Sequence, residues 1–344
     1  MSRTYHQLVP RVEPALLSIV VPLYNEQDAL PILRERLDRF MDDLDCAVEL
    51  IAVNDGSSDY SLDFLAEWAA EDHRVKVLSL ARNFGHQAAA TAGLDQAQGD
   101  AIVLMDADLQ DPPEIILEMI AMYRNGYDVV YGQRLSRHGD SIFKRATAWV
   151  FYRLMRTLVY PDLPADTGDF RLISRRCLDA LNAMRETHRF LRGMVAWIGF
   201  PQTAVRYERH ARVAGSTKYP ISKMLRLAWT AAISFSPVPL RLSFLLGVVI
   251  FLIGLTQGIN AIIDKVFGLY TVPGWTSLMV VLCLVGGSIL VSIGVLGEYV
   301  GRIFEEIKSR PLYIVAQTMN VATPTRELEG VHERELVRMS QNMD

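Results

Sequence analysis

Cysteine is scarce in this chain: three in 344 residues, Cys46, Cys177 and Cys283, odd in number and far apart. They offer no disulfide framework and no zinc-binding spacing, which favours a reducing compartment. Glycine-rich phosphate loops of the dinucleotide or Walker type are missing, so neither of those routes to a nucleotide is open. The opening stretch, MSRTYHQLVPRVEPALL, has basic residues but no uninterrupted apolar core behind them. It does not read as a secretory signal. No base-reading motif is recognisable, which argues against a nucleic-acid partner.

Apolar residues are plentiful. Half of the chain is hydrophobic, high for a wholly soluble protein, and two uncharged runs stand out, Leu242–Ile263 and Ser277–Gly297. A helix needs ~20 residues to cross the ~30 Å hydrocarbon core, and both runs reach that length. The short connection at Asp264 and Lys265 makes them a hairpin whose ends face the same side. Lys218, Lys223, Arg226 and Arg241 precede it and Arg302, Lys308 and Arg310 follow it. By the positive-inside rule those flanks, and with them both termini, are expected to be cytoplasmic. Gly286, Gly287, Gly297 and Gly301 would let helices approach closely, within or between chains. The expected division is a cytoplasmic domain over 1–236, a transmembrane hairpin over 237–300 and a tail over 301–344. Beyond Pro311 the tail is charged and weakly patterned, and is expected to be peripheral or disordered.

Charge is unevenly spread. The net charge is only −4, yet Arg134–Arg226 holds 18 Lys and Arg against 7 Asp and Glu. Such an excess expects a negative partner. Within it, two stretches mix aromatic and basic residues in a way that suits helices lying in the headgroup plane. One has Phe143, Lys144, Arg145, Trp149 and Arg153; the other has Ile221, Lys223, Met224, Leu225, Arg226 and Ala228.

In the N-terminal part, LLSIVVPLYN, VELIAVND, VKVLSLAR and AIVLMDADL are β-branched apolar runs that suit buried parallel strands. Helical spacings lie between them, as in Leu30, Leu33, Leu37 and Phe40, then Leu62, Leu65 and Ala69. Strand alternating with helix predicts an α/β sheet covered on both faces. Function then gathers at the carboxyl ends of the strands. Those ends carry Tyr24-Asn25-Glu26, Asn54-Asp55-Gly56, Arg82-Asn83 and Asp106-Ala107-Asp108. Asp106 and Asp108 flank one residue and can point into one crevice, an oxygen-rich arrangement that suits Mg²⁺ or Mn²⁺. Asp59 is expected to cap a helix after the NDGSSD turn. Asp111, Pro112 and Glu114 read as a helix start, with Asp111 as N-cap.

Taken in order, VVPLYNE, VNDGSSD, ARNFGHQAAATAGLDQAQGD and MDADLQDPPE resemble the family 2 glycosyltransferases of the GT-A fold, a Rossmann-like nucleotide-sugar domain. With TGDFRL, RVAGSTKYP and the C-terminal hairpin, the chain is similar to the polyprenyl-phosphate glycosyltransferases. That group holds dolichyl-phosphate mannose synthases and bacterial undecaprenyl-phosphate glucosyltransferases. The resemblance runs from Leu17 to Pro311.

It implies an enzyme that transfers a sugar from a nucleotide-sugar to a polyprenyl phosphate with inversion, needing Mg²⁺ or Mn²⁺. Pro22, Tyr24 and Glu26 would line the donor pocket, with Asp55 near the base or ribose; Asn54 departs from the commoner acidic pair. Asp106 and Asp108, with Gln110 as a further ligand, would hold the metal on the donor diphosphate. Arg134 and Arg145 would clamp the lipid phosphate. Asp169 and Arg171 would reach the acceptor side, and Ser216 and Lys218 belong to a loop expected to close over phosphates. Asp169 would position the acceptor or remove a residual proton. Glucose from UDP-glucose is the preferred donor, with mannose from a GDP donor or a modified aminosugar as alternatives. The resemblance also implies an inner-membrane or plasma-membrane homo-oligomer, with a tetramer suggested by relatives. A processive polysaccharide synthase would need more spans and the Gln-x-x-Arg-Trp signature, which RGMVAW only loosely resembles. A non-catalytic nucleotide-sugar sensor would have no use for a second phosphate site.

Overall fold

The computed structural model describes residues 8–134, 167–208, 238–267 and 274–321. Among the described residues, eight strands form one mixed sheet: β1 (Leu16–Leu23), β2 (Ala47–Asn54), β3 (Val75–Leu80), β4 (Ala101–Leu104), β5 (Val129–Arg134), β6 (Thr167–Ser174), β7 (Gln202–Tyr207) and β8 (Val315–Met319). Their spatial order is β7-β5-β6-β4-β1-β2-β3-β8. The four strands read from the sequence are parallel neighbours, β3-β2-β1-β4. The antiparallel strands β6 and β8 bound this parallel block on its two sides.

The alternation of side chains along β1 explains the layering. Leu17, Ile19 and Val21 belong to one apolar cluster, whereas Val20 belongs to another on the opposite face. Helices α1 (Leu30–Asp42), α2 (Ser61–Glu71) and α4 (Ile115–Arg124) cover the first face. Helices α3 (His86–Gln96), α5 (Arg175–Ala183) and α6 (Leu191–Ile198) cover the second. In α1 the expected Leu30, Leu33, Leu37 and Phe40 are all buried, each worth roughly 1.5–3 kcal/mol against exposure. Helix α3 lies unusually close to the sheet because its sheet-facing residues are small. A methyl group on Gly93 would meet Val20 Cγ1 at 2.4 Å, and overpacking of that kind costs ~1–3 kcal/mol.

Two expectations need correction. Asp111 does not cap α4, which begins at Ile115 with Glu114 at its N-cap position and no side-chain cap bond. Asp111 is instead buried and accepts a hydrogen bond from the Tyr207 hydroxyl, so its polar atom is used to join β7 to the turn after β4. Glu114 pairs with Arg36 at 3.0 Å. The tail, too, is structured over its first part: Val315–Met319 adds to the sheet as β8, antiparallel to β3. Asn320 then donates to the carbonyls of Ala69 and Val75 (2.5 and 2.9 Å).

Two long helices, α7 (Val238–Val266) and α8 (Trp275–Ile307), pack against each other. Among the described residues, Leu284–Ile307 is long and apolar enough to cross a membrane, and Leu240–Thr256 is a shorter apolar stretch. Their apolar side chains are largely exposed, Phe244, Phe251, Leu290 and Ile307 among them. The stretches expected to form interfacial helices, 141–160 and 219–233, lie outside the described residues.

Candidate active site

The carboxyl ends of β1, β2, β3 and β4 converge on one cleft of about 370 Å³, lined by Pro22, Tyr24, Glu26, Asp55, Asn83, His86, Asp106 and Asp108 among others. It sits where the chain, having built β2 and β3 on one side of β1, returns to place β4 on the other, the switch point where open α/β sheets bind ligands.

Two loops brace each other along one rim of the cleft. Asn25 N–H donates to Ser57 Oγ (2.9 Å), Ser58 N–H to Asn25 Oδ1 (2.8 Å), Glu26 N–H to Ser61 Oγ (3.0 Å) and Tyr60 N–H to Gln27 Oε1 (3.2 Å). Asp59 joins both: it accepts from Ser61 N–H at the head of α2 (3.0 Å) and from Gln27 N–H (3.2 Å). The YNEQ and NDGSSD stretches are therefore one reciprocal unit, which leaves Tyr24 half exposed at the rim.

Asp55 lines the cleft at the end of β2. Its two carboxylate oxygens accept from the backbone N–H groups of Phe84 (2.7 Å) and Gly85 (2.9 Å). Burial raises its pKa, and these two bonds offset part of that. Gly56, at φ +65°, lets the end of β2 pass against this loop, since a Cβ there would lie 2.5 Å from the Arg82 carbonyl carbon. Asp55 thus fixes the β3–α3 loop that delivers His86 into the cleft.

Asp106 and Asp108 both line the cleft. Burial pushes the Asp106 carboxyl up to about 6, with Asp169, Asp108 and Asp111 adding repulsion and His86 countering it. Burial and the neighbouring carboxylates thus outweigh the histidine beside it. Gln110 is buried, and its Oε1 finds no hydrogen-bond partner among the described residues. Two crowded carboxylates and an orphaned amide oxygen fit a hard divalent ion that completes its shell with water and phosphate. Among the described residues no group of three His, Cys, Asp or Glu side chains is arranged as a metal site, so protein ligands alone would not enclose the ion.

Behind His86, Asp169 in β6 is buried at the centre of a cationic cluster. Arg192 Nε donates to Oδ1 (2.8 Å) and its terminal nitrogen to Oδ2 (3.3 Å). His86 Nε2 lies 3.2 Å from Oδ2, and 3.6 Å from Asp106 Oδ1. Gln87 adds a longer contact at 3.4 Å. Burial alone would raise the Asp169 pKa, but Arg192, His86 and Arg171 more than offset it and hold it well below the usual carboxylate range. His86 is raised in turn: burial disfavours its cation, and Asp169 and Asp106 outweigh that. Arg171 is fully enclosed, donating to the carbonyls of Gly168 (3.1 Å) and Asp169 (3.3 Å), and burial lowers its pKa to about 10. Its guanidinium is 3.9 Å from Asp169, so its influence on the cleft runs through that carboxylate.

The structure therefore brings together Pro22, Tyr24, Glu26, Asp55, Asp106 and Asp108, with Asp169 linked to them through His86. Arg134 ends β5, its side chain lying outside the described residues, as do Arg145, Ser216 and Lys218. Two residues were given no role by sequence reasoning, His86 and Arg192. His86 lies in ARNFGHQ, after Gly85; Arg192 opens RGMVAW, far from the other motifs.

The family model described as glycosyl transferase family 2 matches residues 18–181, and the GtrB C-terminal hairpin model matches residues 238–303. The glycosyltransferase YkcC of Bacillus subtilis (strain 168) is 47% identical over 304 residues, covering 88% of this chain and 94% of that protein. The SfII prophage-derived bactoprenol glucosyl transferase of Shigella flexneri is 39% identical over 303 residues, covering 88% of this chain and 98% of that protein. Among solved structures, glucosyl-3-phosphoglycerate synthase from Mycobacterium tuberculosis with Mn²⁺, UDP and phosphoglyceric acid aligns with a TM-score of 0.46 at 17% identity. That alignment covers 64% of this chain and 76% of the other, and is too loose to bear on substrate. Strands β1 to β6 and the hairpin each match a family model, and identity of this order extends over most of the chain, which belongs to the family 2 glycosyltransferases.

Proposed function

We propose that this glycosyltransferase moves glucose from UDP-glucose to the phosphate of a polyprenyl phosphate, undecaprenyl phosphate, at the cytoplasmic face of the membrane. The observation that carries the reading is likeness to a bactoprenol glucosyl transferase over 88% of this chain and 98% of that protein, hairpin included. An acidic cleft in the same chain as a membrane-length apolar helix supports it.

The reaction breaks the bond between the anomeric carbon and the diphosphate oxygen of the donor. It forms a bond from that carbon to a phosphate oxygen of the acceptor, on the opposite face, and UDP leaves with the electron pair. A phosphate monoester has its second pKa near ~6 and is mostly dianionic at neutral pH, so the acceptor needs little general-base help. Asp169 fits that economy: a carboxylate held well below its usual range is a poor proton acceptor. Its role in this reading is to orient Arg192 and His86 at the acceptor end of the cleft, with Arg171 behind it. Arg134 and Arg145, with Ser216 and Lys218, would grip the phosphates, guanidinium being suited to bidentate contact. Asp106 and Asp108, with Gln110, would hold Mg²⁺ or Mn²⁺, which when bound offsets charge on the departing diphosphate. Pro22, Tyr24 and Glu26 would form the donor wall, and Asp55 would shape it through the loop it holds.

Both α7 and α8 would span the bilayer, with Arg241, Arg302, Lys308 and Arg310 at the cytoplasmic ends. Gly286, Gly287, Gly294, Gly297 and Gly301 each have open space where a side chain would be, which supports packing against another copy.

The test is transfer of labelled sugar from a panel of UDP- and GDP-sugars to undecaprenyl phosphate by detergent-solubilised protein, with Mg²⁺, Mn²⁺ or chelator. A chelator-sensitive lipid product from UDP-glucose alone is expected. A product from GDP-mannose or an aminosugar donor would replace the sugar assignment, and silence from folded protein would end the proposal.

A further inference from the structure

The two side chains that grip Asp169, His86 and Arg192, stand on different segments, and both segments are fastened to the chain that leaves the long apolar helix. At the foot of α8, Glu306 Oε2 accepts the Thr187 N–H (3.0 Å) and Glu305 Oε2 bonds His188 Nε2 (2.6 Å). Thr187 and His188 belong to the turn that leads into α6, which opens with Leu191 and Arg192. Past α8, the Ile314 carbonyl accepts the N–H of Ala81 (2.9 Å), immediately before the loop that ends at His86. The Tyr313 hydroxyl donates to Asp95 Oδ2 (2.7 Å), near the tail of α3, where Arg185 also donates (2.8 Å). The start of the loop before α3 and the tail of α3 are therefore both tied to this segment. Strand β8 and Asn320 complete the attachment along β3.

We propose that Glu305–Asn320 is a positioning strap that sets the Arg192 and His86 segments at a fixed place relative to the membrane helix. This rests on the lipid-acceptor reading above. A phosphate anchored in a bilayer arrives at a depth fixed by its lipid, so the groups that receive it must be registered to the same surface. Misplacement of reacting groups by ~1 Å can cost about 100-fold in rate. Glu305 and Glu306 are positioning residues in this scheme: they touch no substrate and act through the 187–192 turn. Simple stabilisation of the sheet would predict equal effects on every acceptor, whereas registration to the bilayer predicts an effect confined to acceptors held there.

The experiment uses the full chain in proteoliposomes and compares undecaprenyl phosphate in the bilayer with a short, water-soluble prenyl phosphate. The Glu305→Ala/Glu306→Ala double variant should lose about tenfold in kcat/KM for the embedded acceptor, as loss of two modest hydrogen bonds allows. With the soluble acceptor it should stay within about twofold of wild type. Glu305→Gln/Glu306→Gln keeps an acceptor oxygen at each position and should restore most of the loss. Equal losses with both acceptors, or no loss, would overturn the strap. Amide exchange supplies a readout independent of any acceptor. The alanine pair should speed exchange at Leu191 and Arg192, and Tyr313→Phe should do so at Gln96 and Ala97, beside the Asp95 that its hydroxyl holds; unchanged exchange overturns the proposal. Wild-type silence on both acceptors, with exchange altered as expected, would instead count against the lipid acceptor.

Discussion

Replacing Arg192 tests the reading of Asp169 most sharply. Its guanidinium meets the carboxylate side-on, at 2.8 and 3.3 Å, and Asp169 is almost wholly enclosed. Removing one member of a buried ion pair costs about 3–5 kcal/mol. Arg192 itself is 33% exposed, and His86 and Gln87 remain on Asp169, so the loss should be nearer ~2–3 kcal/mol. If that grip positions the acceptor, Arg192→Ala should lower kcat/KM for the acceptor by about 30- to 150-fold, at ~1.4 kcal/mol per tenfold. The donor KM should move little, because Arg192 bonds Asp169 and is not one of Pro22, Tyr24 and Glu26, the proposed donor wall. Arg192→Lys keeps a charge without the fork and should recover only part of the activity. Initial rates with varied acceptor at saturating donor would measure this. An Arg192→Ala enzyme within twofold of wild type would refute the reasoning.

Asp106→Asn and Asp108→Asn should each abolish transfer while leaving the melting temperature unchanged or raised. Asp106 is forced up to about 6, so its ionised form is unfavourable in the ligand-free fold at neutral pH, and a neutral isostere relieves that. A large fall in melting temperature would contradict this. Asp128 behaves oppositely. It is buried and bonded to Arg11 (2.6 Å), Ser174 (2.7 Å) and Arg176 (2.5 Å); burial alone would raise its pKa, but these partners outweigh that and lower it. Its contribution is therefore present above the unfolded carboxylate pKa and fades as pH falls through its lower folded value. Asp128→Ala should cost ~3 kcal/mol at pH 7, with the difference from wild type shrinking towards pH 3. Equal denaturant midpoints at pH 7 would remove that cluster from the account. Deleting residues 312–344 strips β8 from β3 and leaves an open edge, so the product should melt lower or aggregate. A chain cut there that melts like wild type would show β8 to be dispensable.

The parallel core was readable because β1 to β4 are buried on both faces and so appear as unbroken apolar runs. Their polar ends announced the cleft, and the acidic crowding at Asp106 and Asp108 marked its most charged point. What escaped reading depends on contacts between distant segments. Nothing local in RGMVAW indicates that Arg192 folds back onto Asp169, or that His86, a single histidine after a glycine, lands between two carboxylates. Asp111 looked like a cap because DPPE carries cap chemistry, but Tyr207, far along the chain, takes that carboxylate into the core. Strand β8, VAQTM, is short and half polar because it is an edge strand, and its pairing is visible only once β3 is in place. The bonds that Asp55 accepts from the Phe84 and Gly85 N–H groups were not legible either, since those partners lie 29 and 30 residues further along the chain.

The most direct measurement gives the protein UDP-glucose carrying ¹⁴C in the sugar and undecaprenyl phosphate carrying ³²P, then extracts the lipid. One new lipid should form, with both labels in equal molar amounts and release of an equal amount of UDP. Free labelled glucose, or labelled sugar in a lipid without ³²P, would contradict transfer to the acceptor phosphate.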